Sequence, residues 1–460
     1  MRAALSLRSP GAVLLLSCYE LGHQPQGLAS PLAFLERAGF VPDALDLAVE
    51  PFDEARVGRA RFVGISVPMH TALRLGVAAA RRVRRVNPGA HIAFYGLYAT
   101  LNADYLRDTV ADSVVGGEYE DALVTLVASL ERAERPAPRT VPVLERLDFP
   151  VPSRATLRPL DTYTALIAAG GRRPAGYVEA SRGCLHHCLH CPIPPVYGGR
   201  FFVVPPEVVL ADIRGQVAAG ATHITFGDPD FLNGPGHSLK IVRAMHAEFP
   251  QLTFDCTAKV EHLLRRRALL PELASLGCLF IVSAVESLSD TVLANLDKGH
   301  TRADVYAALG ALRETGIALR PSLLPFTPWT TLDDYIELLE FVATEGLVYH
   351  VDPVQYGIRL LVPPGSALLE RPAMRPFLGP LPEPAALTHT WIHPDPRMDE
   401  LQLQVMAIVA RGAREGEETQ TTFLQVLEAA RRAAGRPAPP ALLRLPPGPR
   451  PPRLSEPWFC

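Results

Sequence analysis

Ser181-Arg-Gly-Cys-Leu-His-His-Cys-Leu-His-Cys-Pro192 contains three of the seven cysteines of this 460-residue chain within eight positions. Cys184, Cys188 and Cys191 form a C-x-x-x-C-x-x-C pattern directly after the strand-like run Tyr177–Ala180. Three thiolates in so short a loop can bind three irons of a cubane iron–sulfur cluster and leave the fourth iron open. The segment therefore predicts a 4Fe-4S cluster with Cys184, Cys188 and Cys191 as its ligands.

Zinc is the competing metal for this loop. One of the loop histidines, His186, His187 or His190, could complete a tetrahedral site with the three thiolates. The first cysteine pair is one residue longer than the C-x-x-C spacing typical of zinc sites. Three cysteines that merely pack in a core are a further alternative, which their clustering disfavours.

Strand-like and helix-like patterns alternate on the N-terminal side of the loop. We expect residues 1–135 to form a doubly wound α/β domain with a parallel sheet, whose ligand crevice lies at the carboxyl ends of its strands. The proline-bearing residues 136–169 read as a linker. The predicted strands are Ala12–Leu16, Phe62–Val67, His91–Phe94 and Ser113–Val115.

Strand-like and helix-like patterns alternate again, at regular intervals, over residues 170–370. Six strand–helix units predict a partial (βα)6 barrel with its chemistry at the carboxyl ends of the strands. Thr301 with Asp304, and Thr331 with Asp334, are expected to be capping boxes. Residues 371–435 predict a helical extension, and residues 436–460 a proline-rich tail. The six expected strands are Tyr177–Ala180, His223–Phe226, Thr253–Thr257, Phe280–Val285, Ala318–Leu324 and Val351–Ile358.

Composition excludes several functional classes. Apolar residues make up 48% and charged residues 20%, which is typical of a globular protein. A formal net charge of −3 offers no basic field for nucleic acid. No apolar run approaches the ~18 residues that span a bilayer. We expect a cytoplasmic protein with reduced thiols, and we read the early run Ala12–Leu16 as a buried strand in preference to a signal peptide.

The cysteine pattern, placed after the first strand of a six-unit barrel, resembles the radical SAM superfamily over about residues 170–370. His190 stands where the family often has an aromatic residue. The resemblance implies that the open iron binds the amino and carboxylate groups of S-adenosylmethionine. One-electron reduction then yields a 5′-deoxyadenosyl radical, which implies an electron donor such as flavodoxin or ferredoxin and a small-molecule substrate.

The same resemblance assigns cofactor-binding residues at three strand ends. Gly227-Asp228-Pro229 corresponds to the segment that binds the methionine amino group. Thr257 and Lys259 would meet the methionyl carboxylate, and Glu286-Ser287 would meet the ribose hydroxyls. An ordinary Asp-Pro turn is the alternative for the first segment, and a helix cap is the alternative for the last.

The N-terminal domain resembles the cobalamin-binding arrangement found ahead of such barrels. Its expected contact loops are Ser66-Val67-Pro68, Tyr95-Gly96 and Gly117-Glu118. The Asp-x-His-x-x-Gly motif that supplies a lower axial histidine is missing. Glu20-Leu-Gly-His-Gln-Pro-Gln-Gly27 is the nearest approach to it, with the wrong spacing. Cobalamin is therefore a possible cofactor, and a domain that serves only packing or substrate access is the alternative.

Cys460 follows Leu-Ser-Glu-Pro-Trp-Phe459. This ending resembles the tails of the CUAEP/CCAEP group of radical SAM (seleno)proteins, stopping after the first cysteine of that pattern. The resemblance gives Cys460 a catalytic role, because a soft thiol or selenol pair could hold arsenic(III) or deliver hydrogen. An incidental terminal cysteine is the alternative.

Together these observations predict a radical SAM transferase, cobalamin-associated, that moves a methyl or alkyl group in specialised biosynthesis. The first alternative is transfer of an aminocarboxypropyl group from S-adenosylmethionine to arsenic or another soft atom. The second is a non-catalytic iron–sulfur or zinc protein. The residues do not name the substrate.

Overall fold

A computed structural model describes residues 6–134, 142–383, 387–437 and 450–456. Its N-terminal part is a five-stranded parallel sheet in the order β2-β1-β3-β4-β5, as the doubly wound prediction requires. The strands are β1 (Val13–Ser17), β2 (Asp43–Asp46), β3 (Phe62–Ser66), β4 (His91–Tyr95) and β5 (Ser113–Val115), and the helices are α1 (Gln26–Arg37), α2 (Glu54–Arg59), α3 (His70–Val86), α4 (Leu97–Leu101), α5 (Ala103–Thr109) and α6 (Glu120–Glu131).

Burial explains the continuous apolar runs of this sheet. Every residue of β1 and β3 is buried, because helices cover both faces of the sheet. β1 lies between β2 and β3, with Leu15 opposite Ala44 on one side and Gly64 on the other. The parallel order brings the carboxyl ends of the strands to one edge.

The second part is built on a seven-stranded sheet in the order β13-β12-β11-β10-β7-β6-β16, which curls into a half-barrel. Its strands are β6 (Ala165–Ala168), β7 (Gly171–Val178), β10 (His223–Phe226), β11 (Thr253–Thr257), β12 (Cys278–Glu286) and β13 (Ala318–Leu323), with β8 (Ser181–Gly183) and β9 (Phe201–Val203) forming a separate pair. The helices are α7 (Ile193–Tyr197), α8 (Pro206–Ala218), α9 (Pro235–Glu248), α10 (Val260–Arg265), α11 (Leu270–Ser275), α12 (Asp290–Asn295), α13 (Arg302–Thr315) and α14 (Leu332–Thr344).

The partial barrel is confirmed, and both predicted capping boxes are present at Thr301 and Thr331. Five strands of the sheet run parallel, from β7 to β13. The expected sixth strand over 351–358 is instead a 3-10 turn at Pro353–Gly357. Pro353 has no amide hydrogen to donate, and the Gln355 side chain accepts the Leu323 amide at 3.0 Å in place of a backbone ladder.

The C-terminal part packs against α14 and the 3-10 turn at Pro353–Gly357, and then returns to the sheet of the half-barrel. It comprises β14 (Leu378–Glu383), β15 (Thr388–Trp391), α15 (Pro396–Glu415), α16 (Thr419–Ala433) and β16 (Arg453–Leu454). α15 and α16 join the barrel core through residues such as Val405 and Phe423. β16 pairs antiparallel with β6, which itself lies within the predicted linker.

None of the helices in the described parts of the chain has the length and hydrophobicity that a bilayer crossing requires.

Candidate active site

The cysteine loop follows β8 and is held in a fixed turn. Gly183 has φ +73°, and a Cβ there would lie 2.3 Å from the Arg200 carbonyl oxygen, so glycine is required. Cys184 and Cys188 are buried, Cys191 is half-buried, and all three are free thiols. The Asn233 amide donates to Cys184 Sγ at 3.5 Å.

The spacing of ligand atoms favours a cluster over zinc. Among the described residues, one trio of candidate ligand atoms lies within 4.8 Å of one another, and it belongs to His186, Asp230 and His262. The three cysteine sulfurs are therefore spread more widely, whereas thiolates on one zinc ion at Zn–S ≈ 2.3 Å lie about 4 Å apart. In a cubane cluster each of the three cysteine sulfurs binds a different iron, which fits this wider spacing of the sulfurs.

The loop histidines face partners other than the cysteines. His190 Nε2 lies 3.2 Å from Glu286 Oε1, and His186 Nδ1 lies 3.1 Å from Lys259 Nζ. His187 is exposed. Each histidine that could have completed a zinc site is thus directed elsewhere.

Glu286 ends β12 as the centre of a buried ion pair. Lys298 Nζ donates to its Oε1 at 3.0 Å, and the two residues are 2% and 7% exposed. Burial opposes ionisation of Glu286, but the Lys298 ammonium and the His190 ring together outweigh it and hold the pKa of this carboxyl far below its usual range. Lys298 lies outside the strand-end segments from which the site was predicted, and it is one of three lysines in the chain.

Lys259 and Ser287 follow the ends of β11 and β12. Lys259 Nζ reaches the cysteine loop at His186 and lies 3.4 Å from Glu261 Oε2. The Ser287 hydroxyl accepts the Ser289 amide, which is a local turn contact. Thr257 contributes its carbonyl, which accepts the Phe231 amide at 2.8 Å.

Asp228 is buried and ties together two strand ends. Its Oδ2 accepts the amides of Ala180 and Ser181, both at 2.9 Å, while Oδ1 has no hydrogen-bond partner. Burial raises the pKa of this carboxyl to about 8. Asp228, predicted to accept from the methionine amino group, therefore also has a structural role through Oδ2, and its Oδ1 has no hydrogen-bond partner.

We expect the Asp228 carboxyl to make the free energy of unfolding fall as pH rises from about 4 to about 8. The proton that this group holds in the folded protein contributes up to about 1.4 kcal/mol per pH unit. The folded pKa of Asp228 lies above the unfolded value, so its contribution is complete below about pH 4 and lost through pH 8. Denaturant titrations of apoprotein at pH 5, 7 and 9 give the free energy of unfolding at each pH. This free energy should depend less on pH in Asp228→Asn than in the wild type. Asp104→Asn, at a 95% exposed side chain, is the matched control. An equal dependence on pH in all three proteins would contradict this assignment.

One cavity of about 240 Å³ lies between the carboxyl ends of the two sheets. It brings together predicted residues from both domains, namely Ser66, Pro68, Gly96, Gly117, Gly227 and Pro229. Val67 and Tyr95 do not line it. Val67 packs in the core, and the Tyr95 hydroxyl donates to the Gly27 carbonyl at 2.8 Å.

Arg182, two residues before Cys184, joins the domains in a buried ion cluster. It forms a bidentate pair with Glu120 at 2.7 and 2.9 Å, and it lies 2.9 Å from Glu179 and 3.6 Å from Glu118. Glu118, predicted as a cofactor contact, instead accepts the Tyr197 hydroxyl at 3.0 Å. Burial raises the pKa of Glu118 to about 7 despite this arginine.

His23 faces the barrel. Its ring lies 4.6 Å from the ring of Tyr177 on β7, and its Nδ1 is buried without a partner. Burial lowers the pKa of His23 to about 4, so the ring is neutral. Glu20 caps α1 by accepting the amides of Gln26 and Gly27, and burial raises its pKa to about 8. Both cavity residues belong to the segment nearest to the missing axial-histidine motif, but its spacing did not predict these contacts.

The described end of the chain lies beside this cavity. The Ser455 amide donates to the Ala165 carbonyl at 2.8 Å, and the Tyr19 hydroxyl donates to Glu456 at 3.3 Å. A Cβ on Gly22 would meet the Glu456 side chain at 2.9 Å, and the neighbours of Gly22 line the cavity. Cys460 lies outside the described residues.

Comparison with known proteins places the cysteine loop in a recognised domain. The sequence profile of the radical SAM superfamily matches residues 178–342. The ribosomal protein uS12 methylthiotransferase RimO of Citrifermentans bemidjiense is 27% identical over 178 residues, covering 36% of this chain and 39% of the relative. The chain thus matches well under half of that relative's length.

Two solved structures share the fold over most of the chain. The cobalamin-dependent S-adenosylmethionine radical enzyme OxsB, with aqua-cobalamin bound, has a TM-score of 0.68 at 14% identity and covers 87% of this chain and 67% of its own. The radical S-adenosylmethionine methyltransferase TsrM of Kitasatospora setae, with cobalamin and a [4Fe-4S] cluster bound, has a TM-score of 0.58 at 16% identity, covering 73% of each chain. At these identities the likeness concerns architecture.

Proposed function

We propose that this chain, whose residues 178–342 form a radical SAM domain, cleaves S-adenosylmethionine reductively and transfers a methyl or alkyl group to a small molecule in specialised biosynthesis. The observation that carries the proposal is the interdomain cavity, where the residues that flank the cysteine loop (Gly183 and Ile193), the ends of β7 and β10 and the N-terminal loops converge. Active sites of α/β sheets lie at the carboxyl ends of their strands. Here two such edges face one cavity.

The donor set fits a 4Fe-4S cluster. Cys184, Cys188 and Cys191 would hold it, since they are free thiols on one loop and too far apart to share one zinc ion. When bound, the cluster supplies the electron that breaks a carbon–sulfur bond of S-adenosylmethionine. A flavodoxin or ferredoxin would deliver that electron.

The surrounding side chains suit the groups of S-adenosylmethionine. Both hydrogen bonds to Glu286 use Oε1, which leaves Oε2 to accept from ribose hydroxyls. The Lys298 ammonium keeps that carboxyl ionised. Lys259 offers an ammonium to the methionyl carboxylate beside the cysteine loop, and the free Oδ1 of Asp228 can accept from the amino group.

Cobalamin association is a separate proposal. OxsB and TsrM, both with cobalamin bound, support it, and Ser66, Pro68, Gly96 and Gly117 line the cavity from the N-terminal domain. The volume does not fit, because about 240 Å³ lies below the ~300–1,000 Å³ of pockets for drug-sized ligands, and a corrinoid is far larger. Binding requires these loops to move away from the barrel.

Purification in the presence of hydroxocobalamin tests the cobalamin proposal. A protein that never retains corrinoid absorption would contradict cobalamin binding and leave the main proposal untouched.

An anaerobic assay with S-adenosylmethionine and a reductant tests the main proposal. We expect 5′-deoxyadenosine as a product and near-equal amounts of iron and sulfide in the reconstituted protein. Zinc without sulfide would support the non-catalytic binding protein instead. Methylthioadenosine in place of 5′-deoxyadenosine would indicate aminocarboxypropyl transfer.

A contact made by Glu456, in the segment before Cys460, supports aminocarboxypropyl transfer as the second candidate. Glu456 contacts the Tyr19–Gly22 loop at the cavity, and Cys460 follows four residues later. A soft thiol is a suitable ligand for arsenic(III) or a related atom, which would accept the aminocarboxypropyl group.

Under this second candidate, Cys460→Ser should stop product formation while cluster content and S-adenosylmethionine binding stay at the wild-type level. Ser455→Pro should have a similar effect, because it removes the amide that holds the tail on β6. Product mass after reaction with arsenite is the measurement. Cys278→Ala, at a buried cysteine of the barrel core, is the control. Wild-type turnover in Cys460→Ser would exclude a role for this thiol.

A further inference from the structure

The interdomain cavity is rich in carboxyl groups. Glu20 and Glu179 line it, and Arg182 is the one cationic side chain among the described residues of its wall. Glu118, Glu120 and Asp228, at most 1% exposed, lie next in sequence to wall residues. The cavity is therefore surrounded by five carboxyl groups and a single arginine. Burial raises the pKa of Glu20 to about 8, so its carboxyl is largely protonated at neutral pH and ionises when a cation lies beside it.

The arginine has no capacity left for an anionic ligand. Three of these carboxylates, those of Glu118, Glu120 and Glu179, lie within 3.6 Å of the Arg182 guanidinium. A carboxylate or phosphate entering the cavity would meet like charge without a free partner, which is costly in a buried site. The charge distribution thus excludes acidic ligands.

The other polar and aromatic groups of the wall suit a cation. The rings of Tyr119, Tyr177 and Tyr197 line the cavity, and aromatic faces attract ammonium groups. His23, 5% exposed, contributes a neutral ring whose Nδ1 has no partner. A neutral imidazole nitrogen can accept a hydrogen bond from an N–H group.

We infer that this cavity holds the substrate through a protonated amine, with Glu20 and Glu179 supplying the counter-charge and the tyrosine rings covering the cation. The inference rests on the proposed function, in which this cavity is the reaction site. The volume of about 240 Å³ restricts the substrate to a small amine. S-Adenosylmethionine is itself a cation, so the inference concerns a second amine that binds alongside it.

A matched set of probes tests the inference on the holoenzyme with reconstituted cluster, saturated with S-adenosylmethionine and left unreduced. The probes are phenethylamine, 2-phenylethanol and phenylacetate, which share a ring and differ in charge. Calorimetry should give phenethylamine a Kd at least about tenfold below that of 2-phenylethanol, with phenylacetate weakest. Because no turnover occurs, the result is independent of which group is transferred.

Two conservative variants locate the effect. Glu179→Gln and Glu20→Gln keep an oxygen that accepts the existing hydrogen bonds, and each should bring the amine-to-alcohol affinity ratio towards one. Glu248→Gln, at an exposed carboxylate paired with Arg214, should leave that ratio at the wild-type value. The ratio compares two ligands on the same protein, so partial misfolding does not mimic the effect.

Three results would overturn the inference. They are alcohol or carboxylate binding as tight as amine binding, an affinity ratio that survives in both variants, and no binding of any probe. Formation of 5′-deoxyadenosine is measured separately and does not depend on the amine. Failure of the amine inference and failure of the proposed function are thus distinguishable.

Discussion

Cys188→Ala is expected to give a folded protein that binds no complete iron–sulfur cluster and forms no 5′-deoxyadenosine. The loop offers three thiols and its histidines face other partners, so the variant has no replacement ligand in place. Iron and sulfide analysis, visible absorption and chromatography of nucleoside products measure the loss. This is the largest effect on activity that we expect from one substitution.

The control for Cys188→Ala is Cys18→Ala. The two cysteines are similarly buried, at 7% and 5% exposed, but Cys18 packs in the core of the N-terminal domain. Its variant should keep wild-type iron, sulfide and product. Full iron and sulfide in Cys188→Ala would refute the assignment of the three ligands.

Lys298→Met is expected to lower the free energy of unfolding by about 3–5 kcal/mol, because it leaves a buried carboxylate without its counter-charge. The pair spans 3.0 Å and both side chains are largely removed from solvent. His190 also contacts this carboxylate, so the loss should loosen the residue before Cys191 and reduce cluster content. Anaerobic denaturant titration of apoprotein gives the stability, and iron analysis gives the cluster content.

A double-mutant cycle separates charge imbalance from lost packing. Lys298→Met combined with Glu286→Gln should recover much of the stability, since no buried charge is then unpaired. Arg302→Met, which breaks an exposed 2.6 Å pair with Glu337, should cost at most about 1 kcal/mol. Equal losses in the single and double variants would show that packing, not charge, governs this position.

Local signals in the sequence predicted much of the fold. The capping boxes at Thr301 and Thr331 formed as expected, because each depends on residues three positions apart. The apolar run 351–358 failed as a strand because a side chain, that of Gln355, took the hydrogen bond that a neighbouring strand would have made. Strand propensity does not predict that a side chain will replace a backbone carbonyl as the hydrogen-bond acceptor.

The site was only partly predictable because its wall is assembled from distant segments. The cysteine spacing and the glycines at strand ends are local and were recognised. Arg182 was visible as part of the same motif, yet its partner Glu120 lies 62 positions earlier, and no local pattern links them. The two-residue strand β16 was missed for the same reason, as were the cavity contacts of Glu20 and His23.

The Arg182 ion cluster has a consequence for how this protein can be recombined with others. A foreign N-terminal domain grafted onto this barrel would have to bring carboxylates at the positions of Glu118 and Glu120, or it would bury an arginine beside the cysteine loop with too few partners. Conversely, this N-terminal domain on its own would expose two acids shaped for a missing guanidinium. The two domains therefore depend on each other. We expect a chimaera to fold only when its N-terminal domain carries both acids and its barrel carries the arginine.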